Sequence, residues 1–171
     1  MKGRLTAGQW LLRALVAAMP VLAVLCTIGA GGAAPVWFVV LVAVLGLGWA
    51  AYPESAAGVA VLVLVLAWWG IGLRDGLDPW AVPATAAILT AHLAAVVSAY
   101  GPAQLPVDPP VARLWVRRGL AVFVPAPLLL LVATWLRGSP EPDGIWVLGL
   151  AGAFLAIVAA SATFSRGRAA A

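Results

Sequence analysis

The stretch 36–72, VWFVVLVAVLGLGWAAYPESAAGVAVLVLVLAWWGIG, decides the fold. Two apolar runs, Val36 to Tyr52 and Ala56 to Leu73, are parted by little more than Pro53, Glu54 and Ser55. Each is about 17 to 18 residues long, the low end for a helix that crosses a bilayer. Neither alternates polar and apolar residues as a barrel strand would, and a backbone in lipid must satisfy its own hydrogen bonds. Both runs therefore read as helices, joined by a tight turn.

Four further runs flank this pair: Leu11 to Ala30, Trp80 to Tyr100, Gly119 to Leu136 and Ile145 to Phe164. The segments between them carry the Pro, Gly and charge that interrupt helices: GAGGAAP, RDGLDP, GPAQLPVDPPVARLWVRR and RGSPEPDG. The expectation is an all-α, polytopic integral membrane protein: one transmembrane domain over 1–171, six helices (11–30, 36–52, 56–73, 80–100, 119–136, 145–164) and a cytoplasmic loop at 101–118. Composition agrees, with 64% of 171 residues hydrophobic and 9% charged, where a soluble domain carries about a quarter charged residues.

Charge orients the chain. Six spans put both termini on the side of the second and fourth loops, together with Lys2, Arg4, Arg13, Arg113, Arg117, Arg118, Arg166 and Arg168, eight of ten basic residues. The positive-inside rule then predicts both termini in the cytoplasm. The basic pI of about 10.2 follows from topology; no basic stripe interleaved with aromatics suggests a nucleic acid. Trp10, Trp37, Trp49, Trp80, Trp135 and Trp146 lie near run ends, and Tyr52 and Tyr100 close runs two and four. They read as an aromatic belt at both interfaces. A cleaved signal sequence in the first run fits less well, since Arg13 shortens its apolar core and Pro35 follows the small residues. In style the whole chain resembles the small multi-span proteins of high-GC bacteria. That likeness rests on no motif and implies only a bacterial cytoplasmic membrane.

Small residues mark where helices approach closely in lipid. Run four carries Ala87, Ala91, Ala95 and Ala99 at four-residue spacing; run six carries Gly149 with Ala153 and Gly152 with Ala156. Both runs should pack among neighbours, and the Val/Leu-rich third run should face lipid. Arg13/Pro20 and Arg118/Pro125 share a seven-residue spacing that a duplicated hairpin would explain, as would two snorkelling arginines and two Pro kinks. Pro125 and Pro127 predict a bend in run five.

Chemistry-bearing residues are few. His92, the single histidine, lies about three residues past the middle of its run, roughly 4 to 5 Å from the midplane. Ionisable groups at that depth face a bundle interior or a watery cavity, and Thr85, seven residues earlier, shares its helical face. No acid lies within a run, so a self-contained proton relay is not expected; in a scaffold His92 should be densely packed and paired with a Thr, Ser or carbonyl on a neighbouring helix, whereas a transporter needs a hydrated cavity reaching it. Acids and arginines of the outer loops (Arg74, Asp75, Asp78, Arg137, Glu141 and Asp143) read mainly as solvated charges and caps, with Asp78 before Pro79 as a helix N-cap. Arg113, Arg117 and Arg118 around Trp115 read as a segment held by anionic lipid, and as a docking point for a protein partner. One His and one Cys, Cys26, make metal ligation, cofactor binding and nucleophilic catalysis improbable expectations. The sequence favours a non-catalytic accessory or scaffold subunit that binds a membrane-protein partner; the alternative is a small homo-oligomeric transporter or channel with His92 on its path.

Overall fold

The computed structural model describes residues 6–72, 78–100, 106, 108–136, 147, 149–152 and 154. Among them 86% are helical and none forms a strand. Six helices are delimited among the described residues: α1 (Ala7–Gly29), α2 (Val36–Ala51), α3 (Ala56–Gly72), α4 (Ala81–Ala99), α5 (Pro109–Phe123) and α6 (Pro125–Leu136). Together α5 and α6 cover the expected fifth run, and most of the expected sixth helix, 145–164, lies outside the described residues. The chain forms two compact units, Met1–Trp135 and Leu136–Ala171. Of the second, residues 147, 149–152 and 154 are helical and exposed.

Three helical stretches are long and apolar enough to cross a membrane: Ala7–Gly29, Ala81–Ala99 and Pro109–Leu136; α2 and α3 are apolar but shorter. Their outer faces expose Val36, Trp37, Val44 and Leu47 on α2, and Val59, Val63, Leu66 and Ile71 on α3. Apolar surface of that extent is unfavourable in water, by about 25 cal/mol for each Å², and is met by lipid at no such penalty.

Local chemistry sets the helix ends. Thr6 caps α1, its Oγ1 accepting the Gln9 amide at 3.4 Å. At the other end Gly31 N–H donates to Ile28 O and Gly32 N–H to Thr27 O, the paired bonds of a Schellman stop. Gly31 takes φ of 79° there, a left-handed conformation that a side chain would strain. Asp78 accepts the Trp80 amide at 2.8 Å, so its carboxylate caps the entry to α4 as Pro79 starts the turn.

α1 is the hub. It packs on α2, α3 and, most extensively, α4, while α5 lies against α4. The centre is apolar: Val16, Ala23 and Val24 of α1 cluster with Val42 of α2, Val61 and Val65 of α3, and Ala84, Ala87, Ala91, Ala94 and Ala95 of α4. Aromatic groups tie α3 into this core. Trp68 stacks on Phe38 with ring centroids 4.5 Å apart, and the Trp69 indole donates to Ala23 O at 3.0 Å. Trp49 donates to Pro53 O and covers Gly58. These three tryptophans have tertiary partners in addition to any interfacial role, whereas Trp10, Trp37, Trp80 and Trp135 are exposed near helix ends.

The fifth helix departs from the expected loop at 101–118. It begins at Pro109, ten residues ahead of the apolar run, with Asp108 at its N-cap and Pro at its first positions. The segment VARLWVRR is amphipathic: Arg113, Arg117 and Arg118 are exposed while Gly119 is buried beneath Leu93 of α4. Apolar-run counting stops at those arginines, although a helix one-sided in this way needs apolar residues on one face alone. At Val124 the regular helix is interrupted before Pro125, whose ring nitrogen donates no bond.

At Gly46 the backbones of α1 and α2 come close, and a Cβ there would stand 3.1 Å from Ala17 O. Gly46→Val should lower unfolding free energy in detergent by about 1–3 kcal/mol. Gly70→Ala, where a Cβ meets nothing within 4 Å, should leave it within about 0.5 kcal/mol. Thermal melts followed by helical circular dichroism check both.

Candidate functional site

α3 and α4 both lean on α1 but scarcely touch each other. Small residues at their seam, Gly58 on one side and Ala84 and Ala95 on the other, leave a groove divided into two cavities. The larger, about 490 Å³, is lined by Trp49, Glu54, Ser55, Gly58, Leu62, His92, Val96 and Tyr100 among others. The second, about 320 Å³, holds Thr85 with Val65, Leu66, Trp69 and Ile88.

His92 thus meets a cavity. Its imidazole is exposed on the outer face of α4 and makes no hydrogen bond among the described residues. Thr85 occupies the same groove about 10 Å along the axis, at seven residues' rise, but in the other cavity; its hydroxyl donates to Ala81 O at 2.7 Å. The two share a face without touching the same space. Sequence reasoning missed Glu54, which lines the cavity with His92. It counted acids within apolar runs, and Glu54 stands in the turn between two of them. The shortness of that turn was the available signal, because it keeps the carboxylate close to the helix ends.

A third cavity, about 450 Å³, shares Pro53, Glu54, Ser55 and Ala99 with the first and adds Arg13, Ala51, Tyr52 and Ser98. Arg13 reaches from α1 to the end of α2, where Nη1 donates to Ala50 O at 2.7 Å and Ala51 O at 2.9 Å. Those carbonyls belong to the last turn of α2, the negative end of its dipole, where a cation is favoured by about 0.3–1 kcal/mol or more. Arg13 Nε and Ser55 Oγ are buried and have no hydrogen-bond partner among the described residues. Ser98, also buried, donates to Ala95 O at 2.8 Å.

The remaining sequence candidates fall as follows. Ala87, Ala91 and Ala95 are buried and Ala99 is exposed. Gly149 and Gly152 are exposed; Ala153 and Ala156 lie outside the described residues, as do Arg74, Asp75, Arg137, Glu141 and Asp143. Arg118 Cζ lies 5.5 Å from the centre of the Trp115 ring, which in turn sits 5.8 Å from Tyr100. Arg13 and Arg118 are therefore in unlike settings despite their equal spacing to a Pro, one holding a helix end and the other on an exposed face. No group of three His, Cys, Asp or Glu among the described residues is arranged to hold a metal.

If the cavity at His92 admits water, a Cys at that position should react with a charged, water-soluble thiol reagent in membranes. In a Cys26→Ala background, His92→Cys should label at least about tenfold faster than Ala91→Cys, which is fully buried. Equal rates at the two positions would mean a dry groove.

Compared with known proteins, the chain matches no family, no curated protein and no solved structure.

Proposed function

We propose that this is a six-span protein of a bacterial cytoplasmic membrane, both termini cytoplasmic, acting as a non-catalytic accessory or scaffold subunit that holds another membrane protein in the α3–α4 groove. The observation that carries the reading is His92, exposed on the outer groove of α4 with no hydrogen-bond partner among the described residues. Lipid offers an imidazole at span depth nothing to bond, so such a group needs protein or water against it. A polar group on a partner helix supplies that bond, and small residues beside it let the backbone approach.

The partition of eight basic residues out of ten to one side supports the orientation. The 16 residues of α2 and 17 of α3 rise about 24–26 Å, a few Å short of the hydrocarbon core, a mismatch that local thinning accommodates. Arg113, Arg117 and Arg118 on the exposed face of α5 suit anionic headgroups, at about 1 kcal/mol for each.

One observation favours a second reading, a small homo-oligomeric transporter or channel. Glu54 and His92 line one cavity, as a cation or proton path would ask. The centre of the α1–α4 bundle is filled by Val16, Val24, Val42 and Val61, so that path would follow the α3–α4 seam and be closed by a second copy.

A photo-crosslinking residue at Val96, in native membranes, should capture a different membrane protein, with exposed Val44 as the control. His92→Ala and His92→Gln should both reduce the capture severalfold. Recovery of the protein alone as a closed homo-oligomer would overturn the accessory reading in favour of transport. For orientation, single cysteines replacing Gly138 and Gln104 in the Cys26→Ala background should differ: only the first should react with an impermeant reagent applied to intact cells.

A further inference from the structure

We propose that the cavity bounded by Arg13, the 52–55 turn and the end of α4 binds the headgroup of an aminophospholipid such as phosphatidylethanolamine. It holds one positive and one negative side chain, Arg13 and Glu54, around about 450 Å³. Some of its polar groups lack partners among the described residues: Arg13 Nε and Ser55 Oγ are buried with none, and Glu54 forms no ion pair or hydrogen bond. Arg13 does not close on Glu54, because its Nη1 is held by the Ala50 and Ala51 carbonyls. The two charges are thus kept available for a third group.

That group has a definable chemistry. A guanidinium edge binds a phosphate through charge-assisted hydrogen bonds, which it makes better than other side chains. Ser55 lines the same cavity, and a turn about its χ1 would bring its buried hydroxyl to a phosphate oxygen. A carboxylate prefers a cation that carries N–H donors. A phosphodiester joined to a primary ammonium presents both charges in one small unit, matching the pair in sign. A choline headgroup keeps the charge but has no N–H, and a glycerol headgroup offers Glu54 no cation.

Position points to lipid as the source. The cavity lies where α2 and α4 end, beside exposed Tyr52 and Tyr100, residues that settle at headgroup depth. Ala51, Tyr52, Glu54 and Ala99 are exposed at its rim, so a headgroup can enter sideways from the bilayer. The inference requires only that this end of the helices meet an interface; it is independent of a partner at His92.

Native mass spectrometry of the full chain, delipidated in detergent and titrated with lipids of identical acyl chains, tests it. Phosphatidylethanolamine should be retained about tenfold over phosphatidylglycerol, the scale of one charge-assisted bond, with phosphatidylcholine between them. Glu54→Gln should bring the three within about twofold, and Ser55→Ala should weaken the ethanolamine and choline lipids alike. Glu54 is exposed, so its variant folds, which circular dichroism verifies. Equal retention of the three lipids by the unaltered chain, or unchanged selectivity in Glu54→Gln, overturns the proposal. Displacement of the lipid by equimolar soluble phosphoethanolamine overturns the lipid source in favour of a free solute.

Discussion

The close contact of α1 with α4 is the constraint on which the rest of the bundle depends. Lipid supplies no hydrophobic force to press helices together, so contact area and close approach must do it. Ala87, Ala91 and Ala95 bring α4 against α1, and with that pair set, α2 and α3 find the other sides of α1. Because α1 already fills the middle, α3 and α4 meet poorly, and the seam they leave is the groove that holds His92. The candidate site is in this sense a by-product of a hub helix whose surface three neighbours share unequally.

Most of the architecture was legible because period and length carry it. The second and third helices were bounded to within one residue by Pro35, Pro53 and the glycines after Trp69, since an apolar stretch parted by helix-breaking residues leaves little choice. The fifth helix was not, because its first ten residues hold three arginines and two prolines, and a search for apolar runs is blind to a one-sided helix. The distribution of Val against Ala carried only part of the burial: α4, the small-residue helix, is the most enclosed, but α3, expected to face lipid, exposes Val59, Val63 and Leu66 and sets Val61 and Val65 in the core.

The polar chemistry was legible only in part. His92 could be placed within its helix and on a face with Thr85, because both lie on one helix. What faces them depends on the crossing of α3 and α4, which no single helix encodes. Glu54 and Arg13 illustrate the same limit. One looked like a turn residue and the other like a topological charge, yet they line one cavity because α1 passes beside the end of α2. Contacts between residues about 40 positions apart arise from packing, and periodicity has no term for them.

Arg13 also bears on how such a chain enters a membrane. Before α2 exists, its guanidinium has only water and headgroups to bond; afterwards it holds Ala50 and Ala51. The smallest piece of this protein in which Arg13 Nη1 has its two carbonyl partners is therefore the α1–α2 hairpin, not α1 by itself. Insertion by pairs lets one side chain act first as an anchor at the surface and then as a tie between helices, and it makes the two helices a single unit of orientation.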